Sequence, residues 1–405
     1  MSATNSLYFM ARFAGMIETK RGMGVKQIIL WPLLIVAFAL GAHGARAQAL
    51  IETPAKQAIL VDHDTGTVLF AKNSEQSMPP SSMSKLMTLY ILFDRLAGGG
   101  LDMDDTFPVS KKAWRMGGSK MFVRVNTQVK VADLIRGIII QSGNDACIVV
   151  AEGIGGDEAS FATLMNETAR KIGMLDSHFV NASGWPDPEH VTTAKDLSIL
   201  ARMMVDKFPQ YYPIFAERSF TYSKIRQGNR NPLLYKNIGA DGLKTGHTEA
   251  AGYGLVASAH RKGRRLDLVV NGLNSVNQRS RESQRLLAWG FREFGNYNLV
   301  KAGEEVSDAI VWLGDEAKVP LLIEQPLTII IPRRARRAMK VSVNYIGPLP
   351  APIAKGAAVA TLRIEAPNMT TIERPLVAGL DVARKGFVGR LGTAFEHLLF
   401  GSVAK

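Results

Sequence analysis

Residues 83–96, MSKLMTLYILFDRL, carry apolar side chains on nearly every face of a helix, and the run stops at Gly98-Gly99-Gly100. A helix that is apolar all round has no face to give to water, so it must lie inside a core large enough to surround it. Lys85 conflicts with that environment: a buried lysine must find polar company or lose its charge. Ser82 lies one turn earlier, in Ser82-Met83-Ser84-Lys85. Two readings follow: a nucleophile beside its base, or Ser81 or Ser82 as an N-cap with a surface lysine behind it. Ser-x-x-Lys also occurs at Ser402-Val403-Ala404-Lys405, so the pattern alone does not choose.

The 405 residues are enough for two or three domains, and 46% hydrophobic with 21% charged residues is an ordinary globular composition. Lys20, Arg21 and Lys26 precede an apolar run from Ile28 to Ala42, followed by Ala45-Arg46-Ala47. This reads as a secretory signal peptide, residues 1–47, cleaved after Ala47; Met16 or Met23 would serve as an alternative start. The competing reading is an uncleaved anchor, but Pro32 interrupts the run, and it is short for a span of about 20 residues. Cys147 is the single cysteine, so no intramolecular disulfide can form and the core must hold the fold. Its apolar setting, Ala146-Cys147-Ile148-Val149-Val150, is that of a small buried residue. Of the formal charge of +13, +4 lies in residues 1–47, leaving +9. A basic exported chain suits anionic envelope polymers or lipid headgroups. No nucleic-acid motif appears.

Ala58 to Ala71 places two β-rich runs around Asp64-Thr65-Gly66, a hairpin signal. A second helical pattern, Val131 to Ile140, leads into Gln141-Ser142-Gly143-Asn144, and the β-rich runs Gly252–Ala259 and Leu266–Leu273 flank a basic turn, Arg261 to Arg264. Sheet plus helices predicts an α+β domain over 48–298. After Asn298 the chain turns to short β runs with Pro and Gly punctuation, which predicts a β-sandwich over 299–382. In 383–405, apolar positions 387, 388, 391, 394, 395, 398 and 399 fall on one stripe flanked by Arg384, Lys385 and Arg390. That is the pattern of an amphipathic helix lying in a membrane surface, with docking on the protein itself as the alternative.

Three motifs occur in order: Ser82-Met83-Ser84-Lys85, Ser142-Gly143-Asn144 and Lys244-Thr245-Gly246. Ser275-Val276-Asn277 also fits the second, but Lys-Thr-Gly occurs once. Together they resemble the active-site serine penicillin-recognising enzymes. LIRGIIIQSGNDAC, IRQGNRNPLL, GLKTGHTEAAGYGLVASA and ESQRLLAWGFREF further resemble the D-alanyl-D-alanine carboxypeptidases, the low-molecular-mass penicillin-binding proteins, across nearly the whole chain. The resemblance implies a transpeptidase/β-lactamase-like catalytic domain followed by a β-sandwich. It also implies that peptidoglycan stem peptides and β-lactams are the ligands, and that the chain is periplasmic, tethered to the outer face of the cytoplasmic membrane through its C-terminal helix.

On that basis Ser82 is the expected nucleophile. Lys85 would accept its proton if burial and a second cation, Lys244, keep the amine neutral. Ser142 would pass a proton to the departing amine, and Asn144 would hydrogen-bond the substrate amide. Carried over from the family, the backbone N–H groups of Ser82 and His247, the residue after Gly246, would form the oxyanion hole. Thr245 and an arginine would hold the terminal carboxylate: Arg279, with Arg281 the other register. Arg226 matches another site-lining arginine, or else is a solvated surface charge. Arg333-Arg334-Ala335-Arg336-Arg337 reads as a solvated loop or a contact to wall or lipid. A class A β-lactamase would carry Ser-Asp-Asn and a Glu-x-x-Leu-Asn setting, and Glu152, Glu158, Glu167 and Glu189 all lack the latter. A wall endopeptidase of the same superfamily and a non-catalytic scaffold remain as alternatives, although the scaffold's expected loss of Ser82, Lys85 or Lys244 has not occurred. The seven histidines show no metal-ligand spacing, so neither metal nor other cofactor is expected.

Overall fold

The computed structural model describes residues 51–367, 371–387 and 389. The predicted signal peptide and most of the predicted tail helix lie outside them. The chain divides between Arg292 and Glu293 into two compact units.

The first unit is built on a five-stranded antiparallel sheet. Its strands are Gln57–Asp62 (β1), Val68–Lys72 (β2), Ala240–Thr248 (β3), Gly252–Arg261 (β4) and Arg264–Leu273 (β5), in spatial order β2-β1-β5-β4-β3. The expected first hairpin forms: Gly66 N donates to Asp62 O (2.9 Å), and Thr65 Oγ1 donates to the Asp62 carboxylate (3.0 Å). β4 and β5 join through Lys262 and Gly263, both at positive φ, a two-residue turn whose twist matches that of the strands. Leu60 and Leu266 meet Gly290 of helix Val276–Glu293, whereas Ile59, Val61 and Val269 point into the main core. The sheet is therefore covered on both faces.

Helices fill the main core. They are Lys85–Ala97 (α1), Lys111–Arg115 (α2), Val131–Ile139 (α3), Asn144–Gly155 (α4), Glu158–Lys171 (α5) and Ala194–Lys207 (α6), with α7 the helix Val276–Glu293 just described. α1 is buried from Lys85 through Phe93, as its all-round apolar sequence requires. Phe93 stacks on Tyr211 (5.2 Å between ring centres) and meets Phe208 and Phe215 edge-on. Cys147 is fully buried, and burial pushes its thiol up to about 12, which leaves it inert.

The start of α1 differs from expectation. Ser81–Ser84 form a separate 3₁₀ turn capped by Pro80, and neither Ser81 nor Ser82 caps the helix: the N-cap is Ser84, without a side-chain hydrogen bond. The capping reading of Ser81 and Ser82 is thereby excluded. Ser81 is held at φ +50, and the turn packs against β3, an edge strand of the sheet.

The second unit is a β-sandwich. A six-stranded sheet runs in the order 340–344, 358–365, 372–378, 318–322, 305–312 and 349–350, beside a two-stranded ribbon of 294–300 and 327–332. Val319, Leu321, Leu362 and Leu376 of the sheet share one core with Ile329 and Ile331 of the ribbon. Arg384 bridges to Gly314, and Lys385 N donates to Leu313 O (2.9 Å), so extended pairing reaches the first residues of the predicted tail. Phe387 is 69% exposed. Arg333, Arg334, Arg336 and Arg337 are exposed around the short turn Ala335–Ala338, where the Arg336 guanidinium lies over the Tyr297 ring at 4.7 Å.

Candidate active site

The three motifs meet where the Ser81–Ser84 turn, the N-terminus of α4 and the edge strand β3 converge. Two glycines permit that approach. A Cβ on Gly246 would stand 3.1 Å from Pro80 O and from Met83 Cγ, a tight contact that would push β3 a few tenths of an ångström from the serine turn. On the other side Gly184, at φ +74, sits under the Ser81 carbonyl, where a Cβ would fall 1.8 Å from that oxygen. His190 supports the same turn. Its Nδ1 accepts from Val180 N (3.1 Å), which leaves Nε2–H to donate to Ser84 Oγ (2.7 Å), and burial pushes the ring down to about 4.

Lys85 is fully buried, and its Nζ lies 2.9 Å from Ser82 Oγ, 2.7 Å from Asn144 Oδ1 and 2.5 Å from Ser183 O. The two carbonyl oxygens can only accept. A neutral amine would give one N–H to each and turn its lone pair to the Ser82 hydroxyl, a complete match of donors and acceptors. Burial, aided by the charge of Arg230, pushes Lys85 down to about 8. Lys244, on β3, is 1% exposed and donates to Thr245 O (3.1 Å). Burial and then the nearby Lys85 and Arg230 charges hold it well below the ordinary lysine range.

Ser142 is buried at φ +58, just before α4. Asn144 is fixed from three sides: its N–H donates to Ser119 O (2.7 Å), its Nδ2 to Gly117 O (2.9 Å), and its Oδ1 accepts from Lys85. The neighbouring Asp145 is fully buried and accepts from the N–H groups of Met121, Phe122 and Val123. It ties the 117–123 loop to the start of α4. The His247 ring stacks on Tyr253 at 3.9 Å and makes no ring hydrogen bond among the described residues.

Arg279 is the register brought to the site. It is 5% exposed, its guanidinium donates to Gly246 O and Gly254 O (3.4 Å each), and its buried Nε has no partner, whereas Arg281 is exposed. Burial, with Arg230 adding, lowers Arg279 to about 10. Thr245 lies beside it on β3, 6% exposed.

Arg226 is not brought in. It is exposed on the Ile225–Gly228 strand, where it donates to Ser219 Oγ (3.1 Å) of the same hairpin. The arginine that reaches the cluster is Arg230, four residues on in the same IRQGNRN run. It donates to Ser119 Oγ (2.5 Å), and its charge bears on Lys85, Lys244 and Arg279. Sequence reasoning also missed the Asn181–Trp185 turn. Its signal is the Asn-x-x-Gly spacing: Asn181 Oδ1 accepts from the N–H groups of Ser183, Gly184 and Trp185, which aims the Ser183 carbonyl at Lys85. Among the described residues none of the four basic side chains Lys85, Lys244, Arg230 and Arg279 is in an ion pair. The unpaired guanidiniums of Arg230 and Arg279 thus leave positive charge beside one serine, suited to a ligand that brings a carboxylate.

Residues 43–275 match the family model of the D-alanyl-D-alanine carboxypeptidases (peptidase family S11), and residues 294–384 match that of the penicillin-binding protein 5 C-terminal domain. D-alanyl-D-alanine carboxypeptidase DacC of Escherichia coli (strain K12) is 37% identical over 382 residues, covering 92% of this chain and 94% of the relative. The crystal structure of penicillin-binding protein 5 from Haemophilus influenzae superposes with a TM-score of 0.73 at 35% identity, covering 83% of this chain and 99% of that one. Penicillin-binding protein D2 from Listeria monocytogenes, solved in its ampicillin-bound form, gives a TM-score of 0.56 at 28% identity over 60% of this chain and all of that one. With Ser82 against a buried lysine and matches over both units, the chain belongs to the D-alanyl-D-alanine carboxypeptidase family and is a serine-type carboxypeptidase.

Proposed function

We propose that this enzyme removes the terminal D-alanine of peptidoglycan stem peptides through an acyl-enzyme on Ser82, and that β-lactams acylate the same serine. The observation that carries the reading is the fully buried amine of Lys85, 2.9 Å from Ser82 Oγ. Ser82 Oγ attacks the carbonyl of the penultimate residue as its proton passes to Lys85 Nζ. The backbone N–H groups of Ser82 and His247 stabilise the oxyanion. As the C–N bond breaks, Ser142 relays that proton to the departing amine, and Asn144 orients the scissile amide. Water then attacks the ester, gives its proton to Lys85, and Ser82 leaves with it. Lys244 lines this path on β3, and Arg279 with Thr245 takes the terminal carboxylate.

The same reading includes export by residues 1–47 and apposition of the C-terminal segment to the outer face of the cytoplasmic membrane. Vesicle flotation of the mature chain with and without residues 383–405 tests the second point: equal flotation sinks it. For the chemistry, intact-mass spectrometry with benzylpenicillin should give one adduct, absent in Ser82→Ala, and D-alanine should be released from a D-Ala-D-Ala peptide. A folded wild type with neither adduct nor release would leave a wall-binding scaffold as the reading. Release of D-alanine from linear but not cross-linked muropeptides separates the carboxypeptidase from an endopeptidase.

A further inference from the structure

Residues 325–364 contain no Asp or Glu and seven Lys or Arg, five of them in Arg333-Arg334-Ala335-Arg336-Arg337-Ala338-Met339-Lys340. A surface run of one sign raises the local potential and recruits a partner of the other sign. The second unit holds this run in a fixed place. Ala335 and Met339 are buried, the Arg333 N–H donates to Glu293 O (2.8 Å), and the Arg336 guanidinium lies over the Tyr297 ring. Arg334, Arg336, Arg337 and Lys340 are exposed, and none of the four is in an ion pair or a side-chain hydrogen bond among the described residues. Glu365 stands opposite Lys340 across the strands, but its carboxylate is taken by Arg363 (2.7 Å).

Sheet topology separates this surface from the C-terminal segment. Lys340 is in register with Glu365, the last residue of strand 358–365, which pairs antiparallel with 372–378. The chain leaves by the other end of 372–378, where Val382 bridges to Ile353 and Arg384 to Gly314. Such a strand is about 20 Å long, so the arginine turn and the departing chain lie at opposite ends of the sheet. A membrane met by the C-terminal segment would lie at the end away from the arginines, which favours a polymer over a lipid surface as the partner. Every stem peptide that a carboxypeptidase can trim ends in a free carboxylate, and removal of D-alanine leaves another, so a polymer of stems stays anionic before and after the reaction. Guanidiniums can take such carboxylates in paired hydrogen bonds. We infer that Arg334, Arg336, Arg337 and Lys340 form a second binding site, for the carboxylates of the peptidoglycan polymer, which keeps the enzyme on its substrate independently of the serine site. The identity of the polymer rests on the carboxypeptidase reading. Such a contact raises the effective concentration of stems without changing the chemistry at Ser82.

The test is cosedimentation of the mature chain, carrying Ser82→Ala to stop turnover, with purified sacculi and with sacculi whose carboxylates have been converted to amides. Each exposed charge contact gives about two- to threefold in affinity, so Arg334→Gln, Arg336→Gln and Arg337→Gln together should weaken binding about tenfold, and about 0.5 M salt should do the same to the unsubstituted turn. Lysine at the same three positions should keep most of the affinity, and amidated sacculi should lose it. With Ser82 intact, D-alanine release from a short D-Ala-D-Ala peptide should be unchanged by the glutamine substitutions, while release from sacculi falls with binding. Equal binding with arginine or glutamine in the turn, or undiminished binding to amidated sacculi, overturns the polymer site. Flotation with phosphatidylglycerol vesicles that depends on the three arginines, without such dependence on sacculi, would overturn it in favour of lipid. Absence of D-alanine release from the short peptide would instead overturn the carboxypeptidase reading, because sacculus binding is measured without turnover.

Discussion

If the neutral amine of Lys85 is the base, acylation of Ser82 must follow the titration of that one group. An ordinary lysine at 10.5 would be neutral in only about 3 molecules per 10,000 at pH 7; pushed down to about 8, about one in ten is neutral. Burial thus raises the reactive fraction about 300-fold without adding any contact. The second-order rate constant for benzylpenicillin, followed by stopped-flow or intact mass from pH 5.5 to 9.5, should rise about tenfold per unit below 8 and level off above it. Because the Arg230 charge helps to lower Lys85, Arg230→Gln should carry the rising limb to higher pH. Lys85→Arg places a group that cannot release its proton, and should cost at least about 100-fold. A wild-type profile flat between pH 6 and 9, or a Lys85→Arg enzyme within a few-fold of wild type, would refute the neutral-amine mechanism.

The two close glycine approaches should differ in severity. Gly184→Ala, with positive φ and a Cβ driven into Ser81 O, should abolish the penicillin adduct and lower Tm; Gly246→Ala should keep the fold and slow acylation, which thermal melts beside adduct kinetics would check. His63 bridges two carboxylates, Asp267 (2.6 Å) and Asp206 (2.9 Å); burial alone would lower its pKa, but the carboxylates outweigh it and raise it. Its contribution is therefore fully present below its unfolded value of 6.5 and lost as pH rises through the raised one. The Tm gap to His63→Gln should be widest below about pH 6.5 and narrow toward pH 9, and a gap that widens would contradict the charged bridge. Phe93→Ala, which empties an aromatic cluster in the main core, should cost about 3–5 kcal/mol in urea unfolding.

Much of the first unit was legible because its local chemistry and its tertiary role agree. The apolar run that begins at Met83 had to be buried, and is from Met83 through Phe93; the Asp64-Thr65-Gly66 and Arg261–Arg264 turns fold as hairpins because their residues suit a tight turn and the apolar runs beside them are buried in a sheet covered on both faces. The serine turn was less legible. Ser82 is helix-like in spacing, yet the 3₁₀ geometry there comes from packing between Gly184 and Gly246, residues 102 and 164 positions away in sequence.

By itself the sequence determined which residues had the chemistry: Ser82, Lys85, Ser142, Asn144 and Lys244 in order, one inert cysteine, and an α+β unit followed by short strands. Only the tertiary structure decided which charges share a pocket. Arg226 and Arg230 differ by four positions and are both exposed, but only the Arg230 charge reaches the lysines; Arg279 and Arg281 differ by two, and the first is buried while the second is exposed. Their local patterns carry no such distinction, because a charge's reach depends on the strands and helices that happen to close around it. For the same reason no motif could state that Lys85 is poised near neutrality: desolvation is a property of everything packed against a side chain, not of its neighbours in sequence.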